Sequence, residues 1–160
     1  MSDAPSPSAD RQPESSPGLA DIRLASLVHI MRSRWSLFSR LGVLEVDSGT
    51  LSLYNGEGQT LFSIPVGRAQ AQHQRRLFAI HPVFFRIGAD DRWWYLVAHA
   101  PNKYERRSTR QLVERYRIHE PAPRPDAMTE ETYLRLTKNP IGHQVLWKGF
   151  WLGVLRATDG

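Results

Sequence analysis

Gly42-Val43-Leu44-Glu45-Val46-Asp47-Ser48-Gly49-Thr50-Leu51-Ser52-Leu53-Tyr54 decides the fold class of this chain. Leu44 and Val46 alternate with Glu45 and Asp47, and Leu51 and Leu53 alternate with Thr50 and Ser52. That spacing puts successive side chains on opposite faces of a strand. Asp47-Ser48-Gly49 supplies turn chemistry between the two runs, so the stretch predicts an antiparallel hairpin.

The same logic extends downstream. Asn55-Gly56-Glu57-Gly58 is a second turn, after which Phe62, Ile64 and Val66 alternate with Leu61 and Ser63 to predict a third strand. After the polar stretch Arg68 to Arg76, Leu77 to Ile80 and Val83 to Ile87 read as a strand interrupted at His81-Pro82, because proline cannot donate to a ladder. Gly88-Ala89-Asp90-Asp91 turns the chain into Arg92 to Ala98, where Trp94, Leu96 and Ala98 oppose Trp93, Tyr95 and Val97. Upstream, Asp21 is placed to cap a helix to about Ser33, since Leu24, Leu27, Val28, Ile30 and Met31 recur at near-helical spacing.

Beyond Pro101 the pattern is helical. Ser108 or Thr109 can cap a segment with Leu112, Val113 and Tyr116 on its apolar side. Pro121, Pro123 and Pro125 form a stiff linker, and Thr129 with Glu130 and Glu131 opens a helix that Asn139-Pro140 must end. Ile141 to Ala157 is apolar almost all round and reads as a final helix, although its apolar run also fits a paired strand. The organisation expected is a disordered Pro/Ser-rich tail over 1–18, a β domain with flanking helices over 19–120, a Pro-rich linker over 121–128 and a C-terminal helical extension over 129–160. The fold class is α+β: a small antiparallel meander β-barrel with an N-terminal helix and C-terminal helices.

Gly42-Val43-Leu44-Glu45-Val46 and Thr50-Leu51-Ser52-Leu53-Tyr54 resemble the opening hairpin of the pleckstrin-homology-like superfold, especially its bacterial members. The resemblance is one of strand pattern and covers about half the chain; five strands are legible where that fold has seven. Trp35 to Arg40 or Arg68 to Gln72 must then supply the rest. The resemblance implies a non-catalytic module that docks proteins, peptides or, in a subset, phosphoinositide headgroups held by basic residues between the first two strands. Here that turn is Asp47-Ser48-Gly49, with an acidic residue and no Lys or Arg, so the resemblance argues against headgroup binding in that pocket.

Composition narrows the chemistry. The chain has 160 residues, 41% hydrophobic, enough for one core. Its formal charge is +5, with −2 in residues 1–18 (Asp3, Asp10 and Glu14 against Arg11) and therefore +7 in 19–160. The basic balance favours acidic partners. Zero cysteines exclude a disulfide scaffold, a thiol nucleophile and Cys-ligated metal, and a reducing cytoplasm fits. No signal-peptide pattern or membrane-length apolar run is present in this sequence.

The six histidines His29, His73, His81, His99, His119 and His143 lack the spacing of a metal site, so no metal and no cofactor is expected. Gly56-Glu57-Gly58 leads into a strand rather than a helix and builds no phosphate cradle, and no Gly-x-Ser-x-Gly elbow occurs. Asp90-Asp91 and Glu130-Glu131 suit a turn and a helix start. An enzyme would need dispersed residues such as His99, Asp91 and Glu105.

Two features stand out as binding candidates. Lys103, Arg106, Arg107, Arg110, Arg115 and Arg117, with Arg75 and Arg76 elsewhere, form a basic cluster that meets an acidic partner, anionic lipid or phosphates, or else is a solvated helix face. Trp147, Phe150 and Trp151 with Lys148 and Arg156 are either an aromatic anchor for a partner or membrane, or a helix covering the sheet against Trp93 and Tyr95. The expectation is a cytoplasmic adaptor that docks a protein partner, at the membrane surface in one version, using Arg106, Arg107 and Arg110 for charge and Trp147, Phe150 and Trp151 for apolar contact. The alternative is a single-strand nucleic-acid binder on an OB-like barrel, with Phe84, Trp93 and Tyr95 for stacking.

Overall fold

The computed structural model describes residues 22–33, 38–76, 79–100, 106–119 and 121–156, without the side chains of 74–76, 79–82 and 156. The tail 1–18, the proposed cap Asp21, and Lys103 and Glu105 lie outside the described residues.

Seven antiparallel strands form one sheet: β1 Arg23–Met31, β2 Ser39–Asp47, β3 Thr50–Asn55, β4 Thr60–Pro65, β5 Gln70–Arg76, β6 Ala79–Ala89 and β7 Arg92–Ala98. Three helices follow: α1 Arg107–Tyr116, α2 Glu130–Thr137 and α3 Pro140–Arg156. The strand order is β4-β3-β2-β1-β7-β6-β5, a meander whose first strand pairs with its last. β4 and β5 are the two edges, so the sheet is open and the expected closed barrel is not formed.

The two-residue turns behave as their chemistry requires. Ser48 and Gly49 have φ of 49° and 78°, and Asp90 and Asp91 have φ of 51° and 60°. Positive φ at both central positions is the geometry that matches the twist of the flanking strands. At the wider β3–β4 turn, Asn55 Oδ1 accepts hydrogen bonds from the backbone N–H groups of Glu57 and Gln59.

The helix expected from Asp21 to Ser33 is instead β1, in register with β2 from Arg23↔Asp47 to Met31↔Ser39. The physical reason is that β1 is covered on both sides. Val28 belongs to the main core, whereas Ala25 and Leu27 pack with Val43 beneath Leu112 of α1. A strand buried on both faces loses its polar alternation and becomes an apolar run that matches helical spacing by accident. β5 arises within the polar stretch Arg68 to Arg76, whose first part, Arg68 to Gln72, is one of the two places offered for a missing strand. β6 runs continuously through Pro82, opposite the register shift between His73 and Arg75 in β5, where a missing donor disrupts no regular ladder.

The main core gathers Leu44, Val46, Leu51, Leu53, Phe62, Ile64, Phe85, Ile87, Trp94 and Leu96 from five strands with Trp147, Trp151, Leu152 and Leu155 of α3. Thr129 caps α2 by accepting the N–H of Thr132, as its position predicted. Asn139 then accepts the N–H of Ile141, so Asn139-Pro140 both ends α2 and starts α3. At α1 the capping position is Arg106, with no side-chain cap, rather than Ser108 or Thr109; Thr109 is buried.

Candidate functional site

α1 is fastened by its apolar stripe. Leu112, Val113 and Tyr116 pack on Ala25, Leu27, Val43, Leu41 and Tyr54. Its C-terminal end is held by charge as well. Arg23 Nη2 donates to Glu45 Oε2 and to the Tyr116 carbonyl, both at 2.7 Å. Glu45 is 9% exposed, so this ion pair bridges the sheet and the helix end in a partly shielded setting. Arg117 closes the helix in the left-handed conformation, and the Ile118 N–H returns to the Val113 carbonyl.

With that stripe held against the sheet, the opposite side of α1 is left to solvent. Arg106, Arg107 and Arg110 are all exposed at its first turns, and the first turn contains no acidic residue. Arg115 reaches from the same helix to the β3–β4 turn, where its guanidinium fills the space beside Gly58. The three arginines chosen from sequence are therefore together, exposed and on one element.

The aromatic trio has a different fate. Trp147 and Trp151 are 1% and 0% exposed, stacked on one another, and the Trp151 Nε1–H donates to the Ser26 hydroxyl at 2.8 Å. A partner or membrane cannot reach those rings in this fold; Phe150 is half-buried with its edge against both. α3 lies against β5, β6 and β7 on the side of Trp94 and Leu96, not against Trp93 and Tyr95. Trp93 instead lies flat over Gly88, with the Arg86 guanidinium 4.2 Å from its ring and Arg86 bonded to Gln72. Arg86 thus occupies one face of the ring that base stacking would use.

Histidines make a cluster that no spacing rule picks out. His29 Nε2 and His99 Nδ1 share a hydrogen bond at 2.8 Å, and the Ser39 hydroxyl lies 3.4 Å from His29 Nδ1. His143, 3% exposed in the first turns of α3, interacts electrostatically with His99, and its Nε2 has no hydrogen-bond partner among the described residues. Burial, and next the charge on His99, lower the affinity of both His29 and His143 for protons. Lys148, further along α3, is also held below the usual amine range by burial. The sequence signal was only the presence of His29 and His99; the pairing of β1 with β7 brings them together.

Among the described residues no three His, Asp or Glu side chains converge as metal ligands. Asp91 and His99 sit at opposite ends of β7, about 26 Å apart by strand rise, so they do not assemble as a catalytic set. A cleft of about 450 Å³ is lined by Ile64, Arg68, Gln70, Asp90, Asp91 and Arg92 at the β4–β5 corner, and its charged lining is exposed. No helix among the described residues is long and apolar enough to cross a membrane. No family model matches this chain, and no curated protein matches it.

Proposed function

We propose that the protein is a non-catalytic docking module of pleckstrin-homology-like type whose arginine face on α1 meets an acidic protein partner. The observation that carries this reading is the exposure of Arg106, Arg107 and Arg110 on a helix whose other side is fixed to β1 and β2. Exposed cations on a rigid support steer acidic partners without a folding cost at binding. The meander of seven strands followed by helices supports the resemblance to the superfold. The test is fluorescence anisotropy with an acidic peptide, an oligothymidylate and phosphatidylcholine vesicles with or without phosphatidylserine. Arg106→Glu/Arg107→Glu/Arg110→Glu should abolish peptide binding at unchanged thermal stability. Tight, steeply salt-dependent binding of the oligonucleotide alone would replace this reading with the nucleic-acid one.

A second reading rests on the corrected strand register. Asp47-Ser48-Gly49 joins the second and third strands, so the connection between the first two is 32–38. That connection begins at exposed Arg32 and ends at Phe38, 85% exposed and followed by exposed Arg40. The argument against an anionic headgroup therefore loses its basis, and the exposed Phe38 ring with exposed Arg32 and Arg40 suits an anionic membrane surface. Binding of phosphatidylserine vesicles that Phe38→Ser and Arg40→Glu weaken, with peptide binding intact, would favour the membrane as the site of docking.

A further inference from the structure

The geometry points to a proton-sensitive latch made by His29, His99 and His143, which ties β1, the chain leaving β7 and α3 together and opens when the cluster takes up protons. At 2.8 Å, His29 Nε2 and His99 Nδ1 can share only one hydrogen. One ring must donate and the other accept, so at least one imidazole is neutral while the bond stands. A second proton puts two N–H groups and two positive charges face to face. His143 adds a third imidazole within electrostatic reach of His99, buried with an unpartnered Nε2. Charging it there costs solvation that no acceptor among the described residues offsets.

The latch sits where three elements meet. His29 is on β1, in register with Val97 of β7, and the His99 N–H donates to the Leu27 carbonyl at 2.9 Å. On α3, the neighbour of His143, Gln144, donates to the Ala98 carbonyl at 2.9 Å. Ser39 faces His29 from β2. Along the chain, Arg32 follows β1, Arg40 lies on β2 next to Ser39, and Lys148 lies beyond His143 on α3.

The sign follows from linkage. His29 and His143 bind protons less readily folded than unfolded, where the ordinary value is 6.5. The stabilisation is therefore complete above that value and is lost as the pH falls from it through the folded values. The inference is independent of what α1 binds.

The experiment is histidine-labelled NMR of the full chain, with thermal unfolding, across pH of about 7.5 to about 5. His29 should titrate below the ordinary histidine value, and protection of the His99 backbone amide should fall with its protonation while amides of β2 and β3 keep theirs. The acid loss of Tm should be at least halved in His29→Gln or His143→Gln, and unchanged in the exposed control His119→Gln. Independent single-site titration of His29 at its ordinary value, or an undiminished acid loss in both variants, overturns the latch. If either variant fails to fold, the wild-type titration decides alone.

Discussion

Trp151→Ala separates a core helix from a surface anchor more sharply than any other change. The Trp151 side chain is fully buried, stacks on Trp147, meets Phe150 edge-on and donates to Ser26, itself 0% exposed. Truncating a buried tryptophan costs about 3–5 kcal/mol in lost transfer energy and cavity. Against a total stability of about 5–15 kcal/mol, that is a large fraction. At about 3 °C per kcal/mol for a chain of this size, the midpoint should drop by about 9–15 °C. Thermal unfolding followed by far-UV circular dichroism measures the midpoint, and urea unfolding measures the free energy. Trp151→Phe keeps most of the apolar volume but orphans the Ser26 hydroxyl, at about 1–3 kcal/mol. Adding Ser26→Ala should recover part of that loss, showing as a coupling energy of about 1 kcal/mol in a double-mutant cycle. If Trp151→Ala unfolds within about 1 kcal/mol of wild type, the packing of α3 described here is wrong.

Further outcomes follow from the same packing. Truncation after Asn139 removes Trp147, Trp151, Leu152 and Leu155 from the main core, and should abolish the cooperative unfolding transition seen by calorimetry. A Cβ on Gly42 would lie 2.5 Å from the Tyr54 carbonyl oxygen and from Ile30 Cδ1, so Gly42→Ala should cost about 1–3 kcal/mol in chemical denaturation. Gly67→Ala, with open space around its Cβ, is the matched control and should be close to neutral. Arg106→Glu/Arg107→Glu/Arg110→Glu should shift stability by no more than about 0.5 kcal/mol per site, measured by the same unfolding; a collapse would make the arginines structural.

Local chemistry alone determined much of this protein. The alternation across 42–54 and 92–98, the positive-φ turns at Ser48-Gly49 and Asp90-Asp91, the Thr129 cap and the Asn139-Pro140 break all stand in the structure as their residues require. Each depends on neighbours within a few positions. The exposure of Arg106, Arg107 and Arg110 was legible for the same reason, since Leu112, Val113 and Tyr116 mark the side of α1 that must be buried.

Tertiary structure decided the rest. Arg23–Met31 became a strand because α1 covers one of its faces and the main core the other, a double burial that erases the alternation by which a strand is recognised. That single change moved the first inter-strand connection from Asp47-Ser48-Gly49 to 32–38 and removed the basis of the argument against anionic ligands. Gln70–Arg76 pairs only with β6, and a polar edge strand has little apolar pattern to betray it. Trp147 and Trp151 carry both an anchor and a core reading in sequence, and the packing of α3 against β5, β6 and β7 buries them as core. His29, His99 and His143 lie far apart in the chain, so only the pairing of β1 with β7 and the packing of α3 could bring them together.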